Sequence, residues 1–401
     1  MKRFGFILII VCGIFVGCQS KSSNVYDFQD YKDYSFIDDY IEDKQVVLLG
    51  ESSHWTQDFT EVGVDLVRYL HEHHDFSILA LETSKAELEY FTENLEPLNR
   101  NQDFEYAVLE SWVNDEMASL AQYASDTGGF EMKGLDWIPV SSHPNEGILQ
   151  HIISEMNEID PDLGNQFALA ESTFTKHIPR LYFEVLSIDH NYIDELLESY
   201  QLITETEYFS QLDSTIQTFI DDRIYVLKRV LNEDYLADYK INDDFQDIYS
   251  RRGLGMLHEL ENIMDEHPHE KVIIWAHNGH IQKEFSQINN IDTNLADIFQ
   301  ETPLVFGSLV DRELDLETYY IGMYFNEGEL VSQGDVERKE EEGFLEYELS
   351  LYNYDRLFVD LHSKSWAEEL RIAHDDGVYQ YEMVPSEQYD GLIYIDTVTS
   401  H

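Results

Sequence analysis

The segment from Val46 to Leu81 sets the fold class. Val46–Leu49 is a short, unbroken apolar run. Gln57–His74 then carries apolar residues at Phe59, Val62, Leu66, Val67 and Leu70, and a second apolar run follows at Ser77–Leu81. An apolar run without polar alternation suits a strand covered on both faces, whereas returns at three and four residues suit one face of a helix. Strand, helix and strand in that order make a βαβ unit, which joins parallel strands of one sheet. Phe130–Leu135, Val272–Trp275 and Leu304–Leu309 read as further buried strands, and Tyr319–Phe325, Leu357–Leu361 and Gly391–Ile395 as later ones. The expected fold is α/β, with a mainly parallel central sheet flanked by helices.

The middle of the chain differs. Between Pro179 and Pro268 there is no proline, the only glycines are Gly253 and Gly255, and apolar residues recur at three and four. This predicts a large all-helical insertion over 144–267, set between two halves of an α/β core at 41–143 and 268–401. Tyr and Phe between 180 and 250 are read as its core.

Composition narrows the possible partners. With 43% hydrophobic and 13% aromatic residues, the 401-residue chain can bury a large core although it carries 80 Asp+Glu against 25 Lys+Arg, a net charge of −55. Nucleic acid is excluded as a partner, because that affinity comes mainly from Lys and Arg neutralising phosphates. The acid spreads over the whole length, which predicts an acidic surface and stabilisation by salt.

The first 18 residues, MKRFGFILIIVCGIFVGC, place Lys2 and Arg3 before an apolar run from Phe4 to Val16. The run is short for a bilayer span and basic on one flank only, as in a secretory signal. Phe15-Val16-Gly17-Cys18 resembles a bacterial lipoprotein signal, which implies lipidation of Cys18, a tether and N-terminal segment over 19–40, and an extracytoplasmic protein anchored to the cell membrane by its lipid. An ordinary cleaved signal and an uncleaved anchor are the alternatives. Cys12 and Cys18 are the only cysteines, so residues 19–401 have no thiolate nucleophile and no Cys-ligated zinc. Loss of Lys2 and Arg3 with the signal leaves 23 cationic against 80 acidic residues, or −57.

Chemistry gathers where the strands end. The first runs into Gly50-Glu51-Ser52-Ser53-His54-Trp55, the second into Glu82, the third into Asp136, and Val272–Trp275 into Ala276-His277-Asn278-Gly279-His280. Ligands of an open parallel sheet bind beyond the carboxyl ends of its strands. A set of two glutamates and three histidines there can move protons to or from water, with a carboxylate fixing the tautomer of an imidazole base. The same residue types can hold a divalent metal and an activated water, or bind a ligand without turnover. No Gly-x-Ser-x-Gly elbow and no His-Glu-x-x-His are present, and a serine nucleophile would have to be Ser52 or Ser53.

Gly50-Glu51-x-x-His54, followed by a helix and Ile78–Glu82, resembles the opening of the erythromycin esterase family. Trp112-x-x-x-Glu116, Gly134-Leu135-Asp136, Arg252-x-x-x-Met256 and Trp275-Ala276-His277-Asn278-x-His280 continue the likeness in order. Gly307-Ser308-Leu309, Gly322–Phe325 and Tyr389–Leu392 resemble its C-terminal part. The resemblance implies metal-independent hydrolysis of an ester or macrolide lactone without a cofactor. It makes His54 the base that activates water, Glu51 and Glu82 its orienting carboxylates, and His277 and His280 groups that position water or stabilise the oxyanion. Asp136, Glu116, Arg252, Asn278 and Trp55 would shape the pocket. Two positions depart from the pattern: Trp55 replaces a usual glycine, and Gly253 stands where an acidic residue often follows the arginine.

Overall fold

A computed structural model of the chain describes residues 24–29, 31–94, 104–140, 147–184, 186–232, 234–236, 244–291, 302–331 and 333–400. The signal segment and Cys18 lie outside the described residues. The strands run, in chain order, β1 (Val25–Asp27), β2 (Val46–Glu51), β3 (Phe76–Ser84), β4 (Glu131–Asp136), β5 (Lys271–His277), β6 (Asn289–Asn290) and β7 (Thr318–Leu330). They continue with β8 (Gly334–Val336), β9 (Arg356–Asp360), β10 (Arg371–Asp375), β11 (Tyr379–Met383) and β12 (Gly391–Val398). The principal helices are α1 (Gln57–His74), α2 (Lys85–Glu93), α3 (Asp115–Thr127), α4 (Gly147–Ile159), α5 (Pro161–Phe183), α6 (His190–Thr204), α7 (Ser214–Tyr225), α8 (Asp244–Glu266), α9 (Asn278–Ile281) and α10 (Phe306–Glu313).

The main sheet has the order β1-β9-β12-β7-β2-β5-β3-β4, with β8 hydrogen-bonded to β7. From β12 to β4 every pairing is parallel, and only β1, β8 and β9 run against their neighbours. The fold is thus mixed α/β with a mostly parallel sheet flanked by helices. Its strands carry apolar residues at consecutive positions because both faces are covered. Val47, Leu49, Leu79, Ile273 and Trp275 join one hydrophobic cluster, while Val46, Leu48, Ile78, Val272 and Ile274 join the other. Alternate side chains of one strand therefore feed opposite layers.

Helix α1 supplies Phe59, Val62, Leu66, Val67 and Leu70 to the first cluster, which continues without a break through Ile148, Phe167, Ile193 and Phe219 of α4–α7. Among the described residues 147–266 contain no strand. The last helix of this stretch, α8, sends Met256, Leu257 and Leu260 to the other layer. Leu304–Leu309 departs from the expectation of a strand: residues 302–305 are irregular, Val305 is extended, and α10 follows. Phe306, Leu309 and Val310 recur at helical spacing and bury one face against the second cluster, a period that so short an apolar run does not show in the sequence. A second, antiparallel sheet, β10-β11-β6, stands beside the carboxyl edge of the main one.

Candidate active site

Because β2, β3, β4 and β5 are parallel, their carboxyl ends open on one edge. That edge forms the floor of a cleft of about 510 Å³, lined in part by His54, Glu82, Arg252, His277 and His280. Glu51, the last residue of β2, is buried and accepts from both sides. His54 Nδ1–H donates to its Oε1 over 2.7 Å, and Trp275 Nε1–H to its Oε2 over 3.2 Å. With Nδ1 committed, the Nε2 of His54 is the ring nitrogen left for a substrate or water. Burial opposes charge on His54, but the hydrogen bond and charge of Glu51, with Glu82 and Asp376 behind it, outweigh burial and lift its pKa to about 9.

The rings of His54 and His277 stand 4.9 Å apart. His277 Nδ1 accepts from the Gly279 backbone N–H at 3.2 Å, so the proton of the neutral ring sits on Nε2, which faces Asp375 Oδ1 at 3.4 Å. Glu82 accepts the His277 backbone N–H on one oxygen at 2.7 Å and Arg252 Nη2–H on the other at 2.6 Å. Burial opposes its ionisation, yet His280 and Arg252 hold Glu82 well below the usual carboxylate range. Arg252 reaches from α8 across the floor, donating from Nε to Asp136 Oδ2 at 2.8 Å and from Nη1 to His280 Nε2 at 3.0 Å. Burial and the Arg252 charge lower His280, even though Glu82 pulls the other way. The guanidinium also lies over the Tyr182 ring, 4.5 Å from its centroid.

The chain matches the erythromycin esterase family model over residues 71–398. It belongs to the erythromycin esterase family. That membership supports a hydrolase. Among relatives of the family, the Bacillus subtilis (strain 168) protein named "Putative hydrolase YbfO" is 23% identical over 92% of this chain and 87% of its own length. An Escherichia coli erythromycin esterase type I is 21% identical over 63% of this chain and 66% of its own. Two solved structures share the fold. A succinoglycan biosynthesis protein covers 94% of this chain and 95% of its own at 15% identity, with a TM-score of 0.66. An erythromycin esterase mutant in its open conformation covers 92% and 95% at 14% identity, with a TM-score of 0.60. The family match begins beyond Glu51 and His54, so their place in the site rests on the geometry above.

Not every family-implied position reaches the cleft of this erythromycin esterase homologue. Glu51, His54, Glu82, Asp136, Arg252, His277 and His280 form one connected set, and Trp55 lines the cleft beside them. Asn278 instead turns into the sheet, where it donates to Met323 O at 3.1 Å and lies against Gly50. Glu116 sits in the first turn of α3, away from the cleft lining. Ser52 and Ser53 are buried outside the lining, and Ser53 Oγ lies 2.9 Å from both His54 O and Asp376 Oδ1.

The donor set does not fit a metal. Both oxygens of Glu51 and of Glu82 already face N–H donors, and the Arg252 guanidinium occupies the centre that a cation would need. Among the described residues no three His, Cys, Asp or Glu groups converge as metal ligands.

Several cleft residues went unnoticed in the sequence. Tyr182 and Tyr249, read as core, line the cleft together with Tyr381. Asp375 and Asp376 come from the tip of the β10–β11 hairpin, and burial pushes Asp375 up to about 6 against the pull of His277. Asp376-Gly377, both at positive φ, is a hairpin signal that marks this tip. Nothing in the linear order shows that the tip folds over β2.

Proposed function

We propose that the chain is a carboxylic-ester hydrolase that cleaves a lactone or another small ester by histidine-assisted attack of water. The observation that carries this reading is His54, which is held by buried Glu51 through Nδ1 and keeps Nε2 free in a cleft walled by His277, His280 and Arg252. In its neutral form Nε2 accepts a proton from water as the water oxygen bonds to the carbonyl carbon. The charge that develops on the carbonyl oxygen takes over the Nε2–H of His277 from Asp375, with the tautomer fixed by Gly279 and the buried Arg252 charge behind it. When the carbon–alkoxy bond breaks, the proton on His54 passes to the leaving oxygen and the base is regenerated. Purified residues 19–401 should hydrolyse a macrolide lactone or a simple aryl ester. His54→Ala should lower kcat by about 10²- to 10⁴-fold in a chain that still folds, with a melting temperature lowered by loss of the Glu51 contact; full activity in that variant would sink the mechanism.

The same proposal places the protein outside the cytoplasm on a lipid attached to Cys18. The support is the basic, apolar and Gly-Cys order of residues 1–18. Wild type should partition with membranes and take up labelled palmitate, whereas Cys18→Ala should do neither. Label retained by that variant would count against the anchor.

A further inference from the structure

We propose that Trp55 is the specificity-determining wall of the cleft that His54 also lines, and that its side chain admits slender esters and disfavours macrocyclic lactones. This rests on the hydrolase reading and sharpens its substrate class.

Among the described residues, Trp55 has φ of +64°, and the other non-glycine residues at positive φ are Asp75, Asn353 and Asp376. Asp and Asn tolerate that region because their short polar side chains bond locally, whereas a bulky aromatic has no such compensation. Glycine would adopt the same backbone without strain. Such strain persists only where the surroundings over-determine the conformation. Here they do. Before residue 55, Ser52 N–H donates to Met323 O on β7 at 3.1 Å, and the hairpin tip holds Ser52 O through Asp376 N–H at 2.8 Å and Ser53 through Asp376 Oδ1. After it, Thr56 bridges to Ser400, and Gln57 N–H donates to Thr399 O at 2.9 Å. The chain on either side is tied to β7, to the β10–β11 tip and to the end of β12, so the turn direction at 55 is imposed from outside.

The core gains nothing from the indole. Trp55 is only half-buried, belongs to neither hydrophobic cluster, and lines the cleft. A large side chain kept in a backbone conformation that favours glycine, and spent on a pocket wall, acts on what enters the pocket. At about 510 Å³ the cleft lies in the lower half of the range for small-molecule sites. As part of the wall of that cleft, Trp55 takes up space that a bulky substrate would need.

The test compares Trp55→Gly, Trp55→Phe and wild type on p-nitrophenyl acetate and on erythromycin. Trp55→Gly should raise the erythromycin-to-acetate ratio of kcat/KM by about tenfold or more, and Trp55→Phe should hold that ratio within about threefold of wild type. The melting temperature of Trp55→Gly should equal or exceed that of wild type. An unchanged ratio, or an equal loss on both substrates with a lower melting temperature, would overturn the proposal and assign Trp55 to folding. Calorimetric binding of erythromycin to His54→Ala, with and without Trp55→Gly, gives the same answer without turnover. Tighter binding in the double variant supports the wall, and equal binding refutes it. Absence of turnover on both esters by wild type bears on the hydrolase reading alone.

Discussion

At the scale of single residues, His54 carries a conflict between stability and activity. Its folded pKa of about 9 lies above the ordinary value of 6.5. The contact with Glu51 therefore stabilises the fold fully below about 6.5 and loses that contribution as pH rises through about 9. The neutral imidazole that a general base requires appears over the same interval. kcat/KM should rise with pH along a limb centred near 9, while the melting temperature declines. Glu51→Gln removes the charge that raises His54, so the limb should move to lower pH by about one unit or more. A limb that stays near 9 in that variant would remove Glu51 as its cause. Gly253 shows a different constraint. A Cβ there would lie 2.1 Å from Leu304 O, so an acidic residue at this position requires the backbone at Leu304 to move.

At the scale of elements, Arg252 joins α8 to the ends of β3 and β4 through Glu82 and Asp136, and to α9 through His280. Arg252→Ala leaves two buried carboxylates without their cation, a loss of about 3–5 kcal/mol by analogy with other broken buried pairs. Urea unfolding should show this as a lower midpoint at an unchanged m-value, and a change under about 1 kcal/mol would mean that other partners hold the carboxylates. The strands and α1 were legible because their patterns are local. Val46–Leu49, Ser77–Leu81, Val272–Trp275 and Gln57–His74 all coincide with observed elements. Leu304–Leu309 shows the converse: six residues display apolarity but not period, and the packing of Phe306, Leu309 and Val310 belongs to a helix that starts at Phe306.

At the scale of the whole molecule, the net charge of −55 is a fact of composition that no local pairing cancels. Self-repulsion on an acidic surface falls as the Debye length shrinks from about 10 Å at 0.1 M salt to about 3 Å at 1 M. The melting temperature should therefore rise from low to molar salt, and a fall would show that screening of favourable ion pairs dominates. The same field draws cations toward a cleft whose rim carries Glu110, Asp375 and Asp376. Among the described residues no helix is long and apolar enough to cross a membrane.

By itself the sequence determined the α/β class, the parallel strand ends and the residue types that meet there, because apolar periodicity and the residues that follow a strand are properties of neighbours along the chain. Tertiary structure alone decided which of those residues touch. It brought Arg252 across from α8, laid Asp375 and Asp376 over the site, turned Asn278 into the sheet and left Glu116 outside. Polar contacts such as Arg252 to Glu82 at 2.6 Å and His277 to Asp375 at 3.4 Å join residues far apart in the chain; they depend on how layers pack, and no local pattern encodes them.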